Sequence, residues 1–288
     1  MTSPQTLLKA WNLRARKAFG QNFLINQGTA QRIVAHARLN ADDVVLEIGS
    51  GLGVMTTTAA RQARKIIAVE KDRNLVPLLK AELLVHGFNH VCVYEQDILK
   101  TSLKTFYDEH EAQPMVVLGN LPYNISSQIV VKLIEERQHI DRAVLMFQKE
   151  LADRLCAGPG TKVYGRLSVR LQYCAQIDPL LHVGAAQFYP RPKVDSALLG
   201  IRFKTRIEHA VNDEHLFALV VQAAFGQRRK NLRNALSGSL LSLDRAEAVQ
   251  LLEASEIDPR RRAETLSVDA FVSLTNHIDG YLKSRRRL

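Results

Sequence analysis

The chain has 288 residues, 46% hydrophobic and 24% charged, enough for one large domain with an appendage or for two modest domains. It carries 39 Lys and Arg against 29 Asp and Glu, a formal charge of +10, which favours a polyanionic partner because cationic surface releases the counterions condensed on phosphates. No apolar run of about eighteen residues predicts a membrane span, no signal-peptide pattern opens the chain, and the scattered Cys92, Cys156 and Cys174 speak against a disulfide framework or a structural zinc site, so a cytoplasmic protein is expected.

Taken in chain order, a basic stretch with Arg14, Arg16 and Lys17 runs into Phe19-Gly20-Gln21-Asn22-Phe23-Leu24, and a helix is predicted over 29–38. The run 44–48 (VVLEI) is too short for a helix and rich in β-branched residues, and it reads as a buried strand. A helix over 56–64, a strand over 66–70, a helix over 74–86 and a strand over 91–95 follow. Further strands are predicted over 115–119 and 143–147, with a helix over 127–137 between them. His86 and His90 stand four apart, but Gly87 and Asn89 read as a turn, and they are taken as surface histidines with no metal site implied. Strand and helix in alternation indicate a parallel sheet with helices on both faces. Two closing strands are predicted over 179–183 and 196–203. From about 205 the chain reads as helices alone, over 213–225, 230–241, 245–254 and 268–278. The expected domains are therefore 1–204 and 205–288.

In an open parallel sheet, ligands bind beyond the carboxyl ends of the strands. The first strand ends in Glu47-Ile48-Gly49-Ser50-Gly51-Leu52-Gly53, whose alternate glycines allow a tight turn and close backbone approach to a ligand. The spacing does not fit the dinucleotide pattern G-x-G-x-x-G/A, since Val54 or Thr56 falls at the last position. Glu70 ends the second strand, where a carboxylate can accept from both ribose hydroxyls of a nucleoside. Asp97 follows the third, where it can accept from an adenine amine or cap a helix. The fourth ends in Asn120-Leu121-Pro122-Tyr123. The lone pair of an exocyclic adenine amine is delocalised into the ring, so an enzyme must help that nitrogen pyramidalise. The Asn120 side-chain oxygen and the Leu121 carbonyl can do so by holding its hydrogens, and Tyr123 can stack on an extruded base.

With these motifs in view, the chain resembles the KsgA-type small-subunit (16S) rRNA adenine N6,N6-dimethyltransferases. The resemblance rests on 17–24, Glu47 to Gly53, Asn120 to Tyr123, and the pair Phe188-Tyr189-Pro190-Arg191-Pro192-Lys193-Val194-Asp195-Ser196 and Phe225-Gly226-Gln227-Arg228-Arg229-Lys230. It implies a class I, Rossmann-like methyltransferase fold, an α/β structure with a mostly parallel seven-stranded sheet, plus a small C-terminal all-α domain. It implies S-adenosyl-L-methionine as methyl donor, contacted by Asn22, Leu24, Gly49, Glu70, Asp97 and Asn120. Asn120, Leu121 and Tyr123 would shape the amine site, with Phe188 on another face of the target base. The implied substrate is a pair of adjacent adenosines in a hairpin near the 3′ end of small-subunit rRNA, in an immature 30S subunit, each receiving two methyls. Arg228, Arg229, Lys230 and Arg233 are the expected RNA contacts. Arg260 to Arg262 and Arg285 to Arg287 form two more basic runs of the kind that usually are solvated faces. No metal, membrane or obligate protein partner is expected, and a monomer suffices. Three other readings stand beside this one: a methyltransferase acting on large-subunit rRNA or DNA, a ribosome-assembly factor with dispensable catalysis, and an NAD-dependent oxidoreductase. The glycine spacing and Asn120-Leu121-Pro122-Tyr123 argue against the last.

Overall fold

The computed structural model describes residues 3–110, 112–227 and 229–285. Its strands are β1 (Phe23–Leu24), β2 (Val44–Ile48), β3 (Lys65–Glu70), β4 (Val91–Glu95), β5 (Met115–Asn120), β6 (Ile140–Gln148), β7 (Ala175–Val183), β8 (Phe188–Tyr189) and β9 (Ser196–Phe203). The α-helices of the described residues are α1 (Pro4–Ala10), α2 (Gln27–His36), α3 (Val54–Ala59), α4 (Val76–Val85), α5 (Leu103–Glu109), α6 (Ser126–Glu135), α7 (Lys149–Cys156), α8 (Arg166–Cys174), α9 (Glu214–Phe225), α10 (Leu232–Leu236), α11 (Arg245–Ala254) and α12 (Val268–Arg285).

Seven strands form one sheet in the order β4-β3-β2-β5-β6-β9-β7. The β2 strand pairs in parallel with β3 on one side and β5 on the other, β3 continues to β4, and β5 continues to β6, all parallel. The chain therefore winds outward through β2, β3 and β4, then returns to the other side of β2. That reversal opens a crevice beyond the carboxyl ends of β2 and β5. β9 runs antiparallel to β6, from Arg142 against Arg202 to Gln148 against Ser196. The expected α/β architecture with a mostly parallel seven-stranded sheet is the one observed.

Burial explains why these segments are strands. All five residues of β2 are buried, as a central parallel strand covered on both faces requires. Its Val45 packs in one core with Ile33 and Val34 of α2, Ile66 of β3 and Val116 of β5. The β4 strand lies at the sheet edge and is correspondingly half-exposed. At the opposite edge, β7 extends back to Ala175, four residues before the predicted start. Pro179, which suggests a boundary in the sequence, costs no ladder bond on an edge strand.

Helix ends follow local capping. The Asn26 side chain accepts from the Gly28 and Thr29 amides and starts α2 two residues before the predicted position. The sequence pattern leaves α1, α5, α7 and α8 unassigned. Among these, α5 is short, and its start is secured from outside by Glu136, which accepts from the Leu103 amide at 2.6 Å. α12 continues to Arg285, beyond the predicted end at 278.

The chain divides into two compact units, residues 1–152 with 176–203, and residues 153–175 with 204–288. The single boundary expected at 204 is replaced by a discontinuous one. Tyr173 of α8 accepts from the Val211 amide at 3.1 Å, and its ring lies 4.6 Å from that of Phe217 in α9, which places α8 with the helical unit.

A second, two-stranded sheet joins β1 to β8, with Phe23 opposite Tyr189 and Leu24 opposite Phe188. It ties the amino-terminal motif to the Phe188–Ser196 motif, which lie far apart in sequence.

Candidate active site

The carboxyl ends of β2 to β5 converge on one cavity. Glu47, Gly49 and Gly51 reach it from β2 and its turn, Glu70 and Lys71 from β3, Asp97 after β4, and Asn120 to Ile125 from β5 and beyond. Residues Ala18 to Ile25 and α1 supply its remaining wall. Leu7 and Leu8 of α1 pack with Phe23, Leu52, Leu75 and Leu78, which holds the amino-terminal segment in place. Arg16 and Gln21 fasten it further, reaching the Asp72 carboxylate at 3.5 and 2.8 Å.

The glycine turn after β2 has φ of +73° at Gly49, +55° at Gly51 and +80° at Gly53, the left-handed region that residues with a Cβ rarely adopt. At Gly53 a Cβ would also lie 2.4 Å from Leu79 Cδ1. This backbone presents the Gly51 amide to Glu70. Glu70 accepts from the Gly51 amide through Oε2 and from the Asp72 amide through Oε1, both at 2.8 Å. Burial nevertheless pushes its carboxyl up, more than these amides pull it down.

Glu47 sits in the middle of the buried strand β2 and is 3% exposed. Burial pushes its carboxyl up to about 8, with Thr56 offsetting part of the rise and the Glu70 charge adding to it. Its Oε2 is buried without a hydrogen-bond partner, and Glu47 is among the residues that line the cavity. A raised carboxyl stays protonated in the fold while the unfolded chain ionises, so stability falls as pH rises from about 4.5 to about 8 and is flat above. Glu47→Gln mimics the protonated form. Its melting temperature should match the parent near pH 5 and exceed it, on the order of 5 °C, above pH 8. Calorimetry across that range checks the sign, and an equal shift at both pH values would rule out ionisation as the cause.

Asp97 bonds Lys71 Nζ at 2.8 Å through Oδ2 and accepts from the Leu99 amide at 3.1 Å through Oδ1. Partial burial pushes its carboxyl up, but Lys71 and the Leu99 amide outweigh that and hold it below the usual range.

At the end of β5, Asn120 Nδ2 donates to the Asn22 carbonyl at 2.8 Å. The amide group is thereby oriented, and its Oδ1 is the atom left to accept from a ligand. The following turn is closed by Pro122, whose carbonyl accepts from the Ile125 amide at 3.1 Å and Ser126 Oγ at 2.8 Å. Tyr123 is half-buried at the cavity wall, and its hydroxyl pairs with Ser196 Oγ at 2.7 Å. Burial pushes the Tyr123 phenol up, so it stays neutral.

The structure thus brings Asn22, Leu24, Gly49, Glu70, Asp97, Asn120, Leu121 and Tyr123 to one cavity. Phe188 is not among its lining residues. It is 3% exposed and packs in the core with Leu24, Ile33 and Val183, because β8 turns it inward opposite Leu24. Glu47, Lys71, Phe19 and Ser196 are at or beside the site without a role assigned to them from sequence. Glu47 alone carried a legible signal, a charged residue inside an otherwise apolar strand.

In the helical unit, Arg229 and Lys230 are exposed and Arg233 is half-buried. The Leu232 amide donates to the Arg261 carbonyl at 2.8 Å and the Arg233 amide to the Pro259 carbonyl at 3.2 Å. These bonds bring the exposed run Arg260 to Arg262 beside the start of α10. Arg228, Arg286 and Arg287 lie outside the described residues.

A family model described as ribosomal RNA adenine dimethylase matches residues 12–279. The chain is 45% identical over 276 residues to ribosomal RNA small subunit methyltransferase A of Desulforapulum autotrophicum, covering 96% of each chain. It is 40% identical to the protein of the same name from Alkaliphilus metalliredigens, covering 95% of each. Among solved structures, a dimethyladenosine transferase from Plasmodium falciparum superposes with a TM-score of 0.75 at 27% identity, covering 88% of this chain and 95% of that one. The 23S rRNA methyltransferase ErmE superposes with a TM-score of 0.67 at 25% identity, covering 90% and 100%.

Proposed function

The chain belongs to the ribosomal RNA adenine dimethylase family, and from that membership we propose that it transfers methyl groups from S-adenosylmethionine to the N6 amines of two adjacent adenosines near the 3′ end of small-subunit rRNA. The observation that carries this reading is the anchored Asn120 amide, whose Oδ1 is left to accept at the rim of a cavity floored by acids.

The cavity suits that donor. Glu70 and Asp97 line it beside the protonated Glu47 and the single cation Lys71 among the described lining residues, and their carboxyl oxygens suit the hydroxyl and amine donors of a nucleoside. Glu70 would take the ribose and Asp97 the adenine amine, while the glycine turn admits the donor's backbone-like end. When bound, S-adenosylmethionine supplies a methyl on a cationic sulfonium, open to in-line displacement.

The protein's part is positioning and electrostatics. Asn120 Oδ1 and the Leu121 carbonyl hold the two amine hydrogens and turn the nitrogen lone pair out of conjugation. Tyr123 stacks on the base. Once alkylated the nitrogen is strongly acidic and releases its proton to water. A second transfer needs the same acceptors to hold the one hydrogen that remains.

The exposed basic run at α10 is the proposed RNA-facing surface of the helical unit. Replacing Arg228, Arg229 and Lys230 together with Ala should weaken binding to a small-subunit rRNA hairpin and reduce the magnitude of the salt slope, by about one for each phosphate no longer neutralised. An unchanged slope in a filter-binding titration would remove this surface from the interface. Among the described residues no helix is long and apolar enough to cross a membrane, and action on ribosomal RNA in the cytoplasm is the reading proposed.

The deciding assay is methyl transfer from labelled S-adenosylmethionine to unmethylated small subunits, with large subunits and DNA in parallel, followed by nucleoside analysis. N6,N6-dimethyladenosine confined to small-subunit RNA supports the proposal. Label in large-subunit RNA or DNA keeps the chemistry and changes the target. Absence of label with donor binding intact favours an assembly factor.

A further inference from the structure

We propose that Lys71 is a positioning residue of the donor site, holding the Asp97 carboxylate in place as the acceptor for the donor's adenine amine. The inference rests on the donor assignment above.

Three observations carry it. Lys71 directly follows Glu70 at the end of β3 and lines the same cavity, so one turn of backbone serves two neighbouring parts of the ligand. Its Nζ lies 2.8 Å from Asp97 Oδ2, while the Leu99 amide takes Oδ1. Two bonds to two different oxygens fix both the position and the plane of the carboxylate. Each oxygen keeps another lone pair, so an amine donor can still be received. The third observation is the neighbour on the other side. The Lys71 ammonium lies 5.9 Å from the Phe19 ring centroid, and Phe19 is itself part of the cavity wall, with the Arg16 guanidinium 4.7 Å from the same centroid. Lys71 is thus held between the amino-terminal wall and Asp97. The side chain is half-exposed, and an ordinary ion pair so placed would contribute little. What distinguishes this pair is that one member faces the ligand.

A positioning role and an ordinary surface ion pair predict different behaviour. Binding of S-adenosylhomocysteine to the full-length protein, measured by isothermal titration, is the probe. Lys71→Met should weaken it about 5- to 20-fold, the scale of one charge-assisted hydrogen bond on a partly exposed carboxylate. Lys71→Arg should stay within about 3-fold of the parent, because a guanidinium can also reach the carboxylate. In an Asp97→Asn background, Lys71→Met should have no further effect, because the charge it holds is gone. In steady-state methylation, Lys71→Met should raise the donor KM by the same factor and leave kcat unchanged. An unaltered affinity in Lys71→Met, or an equal loss with and without Asp97, overturns the inference while leaving the donor assignment intact. A parent protein that fails to bind S-adenosylhomocysteine overturns both.

Discussion

Asn120→Ala should lower kcat by about 10²- to 10³-fold, the cost typical of removing one preorganised polar group from a transition-state site. The prediction follows from how the amide is used. Its Nδ2 is committed to the Asn22 carbonyl at 2.8 Å, so the group cannot rotate freely, and Oδ1 stays where an incoming amine would need an acceptor. That acceptor matters most when the nitrogen becomes tetrahedral and its hydrogens acidify, and little before. Affinity for S-adenosylhomocysteine should therefore change by only roughly 3-fold, through the missing anchor on Asn22. Single-turnover methylation combined with isothermal titration separates the two quantities. Equal losses in both would mean that Asn120 serves the donor alone.

The second large effect is expected at Glu70, and it falls on the other quantity. Glu70→Ala should weaken donor binding roughly 10²-fold, as the loss of charge-assisted hydrogen bonds to a ribose would. The same change removes the acceptor of the Gly51 and Asp72 amides, so the glycine turn loses its brace. Part of that loss is returned, because burial already strains the carboxyl toward its protonated form. Glu70→Gln is not a mild substitute. Its single side-chain oxygen can satisfy one amide well, while its NH2 group would face the other N–H. Both variants should bind donor poorly and melt below the parent. Retained affinity in Glu70→Ala would place the ribose elsewhere.

The predicted spans 44–48, 91–95 and 196–203 coincide with β2, β4 and β9. The central β2 was readable because a parallel strand buried on both faces is a continuous apolar run, and the edge strand β4 and the antiparallel β9 because they are short runs rich in apolar and β-branched or aromatic residues. Helix limits were less readable, since α2 begins at a side-chain cap and α5 depends on Glu136 from a distant segment. The acids at the strand ends were legible because topology alone places strand ends around the crevice. Lys71, Ser196 and the inward turn of Phe188 were not. Each depends on a partner brought in by tertiary packing: Asp97 for Lys71, Tyr123 for Ser196, and Leu24 for Phe188. The division of the chain into units was hidden for the same reason, since α8 joins the helical unit through Tyr173.

The pairing of β1 with β8 also bears on how the protein comes into being on the ribosome. Phe23 and Leu24 emerge early, yet their partners Tyr189 and Phe188 are synthesised about 165 residues later, on the order of 10–30 s at ordinary elongation rates. Through that interval the amino-terminal wall of the cavity has no strand to close against, although β2 and β3 can already pair. A nascent chain arrested before β8 would hold the acidic floor of the site under a cover fastened only through α1 and Asp72, without the tie of β1 to β8. Affinity for the methyl donor would therefore be gained late in translation, and it would act as a marker that the first unit has been completed.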